Sequence, residues 1–435
     1  MMKEEKRNIW SGRWGYPEGW AIVGGLLLIS YIWQWVMGPI PAGGFTHPIS
    51  TVVLSVLIIA TLLIGILSRK RGNKLHFVRF IVSPAATITS LSAFLLLLTI
   101  MGFSKQIDPR MANGLGGLFH TAGWSAMIHS HPFNTIYIYL LLVLGSVTIR
   151  RLLAFKFSVR ELGFMLNHLG LYGFLFFALV SGSNMQRYTM ALTEDEVEWR
   201  GTNQATHAVE ELPIALELKH FTLDEYPPKL MLLNTETGQV LPESRPDMLN
   251  IEEIPTTGLL NGWKVSVDQL LPLGAPLVRD STIVFSQFAS SGGAPAAHIT
   301  ARKGQETYNG WVSCGSYLFP HRALSLDETT CIIMPFPEIR QYYATLDYYL
   351  KDGGAGSKVI SVNDPLKVKD WYVYQLNFDE EMRRWATSTE VELVYDPWLT
   401  PVLVSIWVLF TGAIFLLLGP SNSIYKQTKK EEESL

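Results

Sequence analysis

Residues 162–182 read LGFMLNHLGLYGFLFFALVSG, and the chain then changes character, to SNMQRYTMALTEDEVEWR over 183–200. The first stretch supplies the roughly 20 mostly apolar residues that a helix needs to cross a hydrocarbon core of about 30 Å. It contains no Lys, Arg, Asp or Glu, and its only histidine is His168. The second stretch opens an acidic segment. Residues 183–396 hold 17 Lys/Arg against 30 Asp/Glu, a net of −13, while the rest of the chain holds 18 against 8, a net of +10. The whole-chain value of −3 over 435 residues describes neither part. Charged residues make up 17% of the chain, below the roughly 25% of a typical soluble protein. This division argues against a single soluble globule and against a uniformly basic nucleic-acid binder, so no nucleic-acid partner is expected.

Outward from residues 162–182, similar apolar runs occur at 19–37, 49–68, 84–103, 133–149 and 399–418. Trp20, Trp33, Trp35 and Trp398 lie near their ends, where amphipathic rings favour the membrane interface. No small-residue cleavage site follows the first run, which is therefore expected to be a retained helix. Lys3, Lys6, Arg7 and Arg13 precede it, and the 38–48 loop has no Lys or Arg. Arg69, Lys70, Arg71, Lys74 and Arg79 follow the second run, and only Lys105 and Arg110 occupy the third connection. Arg150, Arg151, Lys156 and Arg160 fill the fourth, and Lys426, Lys429 and Lys430 close the chain. Basic residues concentrate on the cytoplasmic side of membrane proteins. The expectation is an α-helical polytopic protein of the cytoplasmic (inner) membrane with about six transmembrane helices. Both termini are then cytoplasmic, and an inserted, mainly-β domain is extracytoplasmic, in the periplasm.

The expected organisation is an N-terminal membrane domain of about five helices over 1–182, the external domain over 183–396, and a last helix with a cytoplasmic tail over 397–435. Period-two alternation marks strands near 212–223, 263–267, 282–288, 298–302, 339–349, 371–378 and 390–395. Asn261-Gly262, Asn309-Gly310 and Gly353-Gly354-Ala355-Gly356 punctuate them as turns. About ten antiparallel strands in a sandwich-like arrangement are expected. Cys314 and Cys331 are the only cysteines. Both fall in the external domain, either as a disulfide or as buried thiols. There is no C-x-x-C pair and no C-x-x-C-H haem attachment motif, so the chain is not itself a c-type cytochrome or a thioredoxin-like reductant.

A polar group inside the bilayer is costly enough to be a functional hypothesis by default. His168 lies about six residues, or roughly 9 Å, into its span, where a neutral imidazole either ligates haem iron axially or hydrogen-bonds a neighbouring helix. Gly163, Gly170 and Gly173 on the same span point to close helix packing. His120, His129 and His131 cluster with Trp124 in the outer loop, either solvated, capping helices, or handling a ligand. His47, at the outer end of the second span, is a weaker candidate. Tyr137, Tyr139 and residues 174–177 read as packing or lipid-facing aromatics. There is no nucleophile elbow, phosphate loop, H-E-x-x-H or dinucleotide fingerprint, and no catalytic residue is assigned. Acidic pairs such as Glu210-Glu211 and Glu252-Glu253 read as solvated faces whose field would steer basic partners.

Three stretches in order resemble the ResB family. Asn167-His168-Leu169-Gly170 resembles the helix leading into its external domain. Leu212-Pro213 with Phe221-Thr222-Leu223-Asp224-Glu225-Tyr226-Pro227-Pro228-Lys229 resembles the start of that domain. Asn363-Asp364-Pro365, Tyr372-Val373-Tyr374-Gln375 and Asp396-Pro397 resemble its closing pattern. The likeness covers roughly residues 163–418. The chain departs from the family in two places. It carries Asp370-Trp371 where members have Gly before the aromatic strand, and it has five apolar runs before the domain where members usually have three.

The resemblance implies a subunit of the System II cytochrome c synthase, acting with a CcsA-like membrane partner. In that system haem b moves across the membrane and is joined to reduced C-x-x-C-H thiols of apocytochrome c. His168 matches the membrane histidine proposed as a haem ligand, and His120, His129 and His131 are further haem-binding candidates. The tryptophan-rich haem motif of CcsA is missing, so this chain is expected to be a non-catalytic or accessory half. Two other readings compete. One is a membrane-anchored extracytoplasmic binding or sensor module without haem, for which five leading helices are more than an anchor needs. The other is a quinol-oxidising haem b protein, for which paired deep histidines are missing.

Overall fold

The computed structural model describes residues 14–40, 47–69, 75–107, 117–155, 157–280 and 282–418, with the side chains of residues 47–50 and 183 excepted. Lys3, Lys6, Arg7, Arg13, Lys70, Arg71, Lys74, Arg110, Lys156, Lys426, Lys429 and Lys430, which fix the expected orientation, lie outside the described residues, as does the His47 side chain. The chain divides into two compact units, one of residues 1–185 with 396–435 and the other of residues 186–395.

The helical unit contains α1 (Tyr16–Met37), α2 (His47–Leu67), α3 (His76–Ile81), α4 (Pro84–Phe103), α5 (Leu118–Thr121), a 3-10 turn (Trp124–His129), α6 (His131–Leu152), α7 (Val159–Asn184) and α8 (Leu399–Leu418). Five of these, α1, α4, α6, α7 and α8, are long and apolar enough to cross a membrane. The described apolar part of α2, Thr51–Leu67, is shorter. Local chemistry sets the helix starts. The hydroxyls of Ser83, Ser130 and Ser158 accept backbone N–H bonds from Ala86, Phe133 and Glu161, which satisfies donors left over in the first turn. Pro84 and Pro132 follow two of those caps, where a missing N–H costs nothing.

The helix α6 is the core of this unit. Ile136, Leu140, Leu141, Val143 and Leu144 on it are buried and pack with Val23, Leu57, Phe94 and Leu97 of α1, α2 and α4. Tyr137 and Tyr139 also join this packing, so they are structural rather than lipid-facing. Trp20, Trp33 and Trp35 are exposed, as an interfacial position requires.

The glycines of α7 form a seam against α8. A Cβ at Gly170 would lie 2.4 Å from the Leu409 backbone nitrogen, and one at Gly412 would lie 2.3 Å from that of Asn167. Gly163 and Gly173 meet Phe415 and Ser405 in the same way. Backbones approach this closely only where side chains are absent.

The β unit has eighteen strands among the described residues, not about ten, in three sheets, not one sandwich. Strands β1 (Gln186–Thr193), β2 (Val197–Asn203), β3 (Val209–Glu225), β14 (Ile339–Leu350), β15 (Ala355–Ser361), β16 (Leu366–Val368), β17 (Trp371–Phe378) and β18 (Ser388–Tyr395) form an eight-stranded antiparallel sheet. Its order is β15-β14-β3-β2-β1-β18-β17-β16. The edge strands β15 and β16 are joined by the 362–365 turn, so the sheet curls and its two ends meet. Alternate residues point inward along every long strand: Tyr188, Met190 and Leu192; Ile214, Leu216 and Leu218; Val391 and Leu393. They form one core.

The remaining strands are inserted between β3 and β14, which pair directly with each other. They are β4 (Lys229–Asn234), β5 (Val240–Leu241), β6 (Met248–Asn250), β7 (Thr256–Leu260), β8 (Trp263–Arg279), β9 (Thr282–Gln287), β10 (Ala294–Lys303), β11 (Glu306–Ser313), β12 (Leu324–Ser325) and β13 (Thr330–Ile333). One sheet runs β11-β10-β8-β7 with β9 on β8, and the other runs β12-β13-β4-β5 with β6 on β4. Val265, Val267, Ile299 and Ala301 of the first face Leu230, Leu232 and Ile332 of the second across a shared core. The sandwich expectation therefore holds for this insert and fails for the curled sheet around it. Cys314 and Cys331 are free, buried thiols.

Candidate functional site

A recess of about 590 Å³ lies in the helical unit, bounded by the first turn of α4, the last turn of α6 and the first half of α7. That volume falls in the range of about 300–1,000 Å³ occupied by small-molecule and cofactor pockets. Val82, Ile88, Val147, Ala154 and Phe164 give it an apolar wall, and Arg150, Arg151 and His168 line it as well. No acidic side chain lines it among the described residues.

His168 is placed by helix geometry. Phe164 and His168 are four residues apart and therefore stack on one face, with ring centroids 3.8 Å apart at 25°. At about 100° per residue this face is turned well away from the Gly163–Gly170 seam, so α7 packs α8 on one side and presents His168 to the recess on another. The His168 Nδ1 lies 3.0 Å from the Phe164 carbonyl oxygen. A carbonyl only accepts, so Nδ1 carries the proton and Nε2 of the neutral ring keeps its lone pair. A ring held through one nitrogen with the other left as a donor to a metal is the usual arrangement of a ligating histidine. The Arg151 guanidinium carbon sits 4.9 Å from the Phe164 centroid, so Arg151, Phe164 and His168 form a continuous column.

The other three histidines are engaged separately. His120 Nδ1 lies 2.9 Å from the Ser125 hydroxyl. The His129 carbonyl accepts from the Ile40 N–H at 2.7 Å. The His131 N–H donates to Gln34 Oε1 at 2.9 Å, and its ring lies 6.1 Å from that of Trp33 with a hydrogen bond to the Gly38 backbone. Trp124 Nε1 donates to the Tyr31 hydroxyl at 3.0 Å. Among the described residues, no three His, Cys, Asp or Glu side chains meet in a group that could hold a metal ion.

The β unit contains a polar cluster that sequence reading passed over. The Glu225 carboxylate, only 6% exposed, receives Arg383 Nη2 at 2.9 Å on one oxygen and Arg384 on the other, with Nε at 3.0 Å and Nη2 also bonded. Arg383 also covers the Phe336 ring and donates to the Pro337 carbonyl at 2.7 Å. Trp385 Nε1 donates to the Gly293 carbonyl at 2.9 Å. Cys314 borders the same small cavity. Burial pushes its thiol up to about 11, so it is protonated and poorly nucleophilic near neutral pH. The cluster binds the segment around residue 383 to the end of β3, and its carboxylate is fully committed to that task.

The closing stretch of the family likeness has identifiable structural work in all three of its parts. Asn363, with φ of 72°, and Asp364 form the turn that closes the curled sheet, where Lys358 Nζ donates to Asp364 at 2.7 Å and to the Pro365 carbonyl at 2.8 Å. Gln375 is buried and bonds Thr389 across β17 and β18. Buried Asp396 accepts from the Ser181 hydroxyl at 2.7 Å and from the Trp398 N–H at 3.0 Å, fixing the start of α8 beside the end of α7. At the departure from the family pattern, the positive φ of the β16–β17 turn falls on Lys369, so Asp370 needs no glycine-like conformation. No family model matches the chain, and no curated protein matches it.

Proposed function

We propose that this chain is a ResB-like subunit of the membrane cytochrome c maturation machinery. It takes haem at His168, passes it across the membrane with a CcsA-like partner, and helps present haem and apocytochrome c for thioether formation. In this reading the acidic β unit faces the periplasm and both termini are cytoplasmic. The observation that carries the proposal is the His168 ring, hydrogen-bonded through Nδ1 to Phe164 and leaving Nε2 for a metal beside a recess of about 590 Å³ with an apolar wall. Haem suits such a place because its ring is apolar, its iron takes an imidazole, and its propionates are anionic. The residues fit that cargo, and the subunit itself needs no acid–base group, because thioether formation depends on positioned, reduced thiols.

The test is an absorption spectrum of the full chain purified with haem, wild type beside His168→Ala. Loss or displacement of the Soret band in the variant is expected, and an unchanged band would refute the ligand role. In cells, deleting the gene should abolish covalent haem in c-type cytochromes.

A further inference from the structure

We infer that Arg150 and Arg151 are the carboxylate anchors of the recess, holding the two propionates of haem at the α6 end while His168 takes the iron. The inference rests on the haem reading above and adds what recognises the cargo and which way it points. Both arginines line the recess that His168 lines, and Arg151 is joined to His168 through the intervening Phe164 ring. Their present contacts are weak. Arg150 Nη1 reaches the Val82 carbonyl at 3.4 Å, and Arg151 lies 3.9 Å from a Glu161 carboxylate with both side chains well exposed. Two cations with no acid among the described lining residues make a site for a dianion, and Arg binds carboxylates through paired N–H donors. The apolar wall between the cations and the imidazole selects an amphipathic dianion over a free inorganic one. The first turn of α4 borders the same space and adds its positive helix end.

The same sequence feature has a second reading, since Arg150-Arg151 also marks the basic side of the membrane. An anionic phospholipid headgroup shares the chemistry of a propionate, so the experiment separates the two. The full-length protein is placed in nanodiscs of phosphatidylcholine alone, or with phosphatidylglycerol, and titrated with ferric haem and with its propionate dimethyl ester while the Soret band is followed. Wild type should prefer haem over the ester by about tenfold or more, a difference of about 1.4 kcal/mol, because esterification removes the charge from the acceptors of both arginines. Arg150→Gln with Arg151→Gln should abolish that preference while keeping an imidazole-ligated spectrum, and Arg150→Lys with Arg151→Lys should restore part of it.

The inference is overturned if the Gln variant keeps the wild-type preference for haem. It is also overturned if wild type binds haem and its ester alike in phosphatidylcholine alone and the Gln variant changes only the response to phosphatidylglycerol, which would make the arginines lipid contacts. A Soret band independent of His168 would sink the haem reading itself, and is distinguished by the His168→Ala arm. Melting temperature and gel-filtration profile, followed for every variant, separate lost recognition from lost fold.

Discussion

Replacing Glu225 with Ala removes the single carboxylate that holds both Arg383 and Arg384. The side chain is 6% exposed, and the two arginine side chains keep 21% and 28% exposure. Deleting one partner of a buried ion pair costs about 3–5 kcal/mol, most of it from the charge left uncompensated. Here the arginines are near enough to the surface for water to recover part of that loss, so the expected cost is about 3 kcal/mol. For a unit of this size each kcal/mol lowers the midpoint by roughly 2–4 °C, which predicts a fall of roughly 6–12 °C in the transition of the β unit.

The assay uses the whole protein in detergent, with tryptophan fluorescence reporting thermal unfolding and maleimide labelling of Cys314 as a local probe. Cys314 borders the cavity that the cluster closes. Its labelling should therefore begin below the global midpoint in Glu225→Ala and coincide with it in wild type. Glu225→Gln should fall between the two, since it keeps one acceptor and turns an amide N–H₂ toward the second arginine. A midpoint within about 2 °C of wild type, with Cys314 still protected, would refute the claim that this carboxylate organises the segment.

Two other perturbations follow from the geometry. Burial raises the Cys314 thiol from 9.0 to about 11; the folded state thus holds its proton more tightly than the unfolded state, and its stabilising effect is complete below pH 9 and lost as pH climbs toward 11. About 2–3 kcal/mol should disappear over that window, and Cys314→Ala should flatten the pH dependence of unfolding measured in urea. In the membrane unit, Gly170→Ala and Gly412→Ala each force a methyl into backbone atoms closer than 2.5 Å and should cost at least the 1–3 kcal/mol typical of overpacking, about the upper end here. Gly24→Ala, where nothing lies within 4 Å, should be neutral or slightly stabilising, and steric-trap unfolding in detergent compares the three.

What could be read in the sequence was local or one-dimensional. An apolar run such as 162–182 is its own evidence, because a span is set by length and composition, and the glycines of α7 declared a close approach without naming α8 as its target. The strand estimate failed for a physical reason. Strands β5, β6, β12 and β16 are only two or three residues long, too short to show alternation. Strands β3 and β8 run 17 residues each, and β3 carries register shifts that break the period. The ion cluster was invisible because Glu225 and Arg383 are 158 positions apart. Arg150 and Arg151 were legible only as topology markers; their place beside His168 is a property of three packed helices.

One feature joins the charge partition to the architecture. An acidic segment can sit inside a helical membrane unit only if the chain leaves and returns at neighbouring points, since domain insertion is tolerated where the termini of the insert lie close together. Each unit meets that condition on its own. In the β unit, Gln186 and Tyr395 are directly paired across β1 and β18. In the helical unit, the end of α7 and the start of α8 are tied by the Ser181–Asp396 hydrogen bond and by the glycine seam behind it. The insert therefore needs no long connecting loop, and its own closed sheet pairs its first and last strands before the helices matter. The change in composition at residue 183 that first marked the domain is thus the point where a hydrophobic pair of helices becomes an antiparallel pair of strands, with the same two chain segments side by side in both.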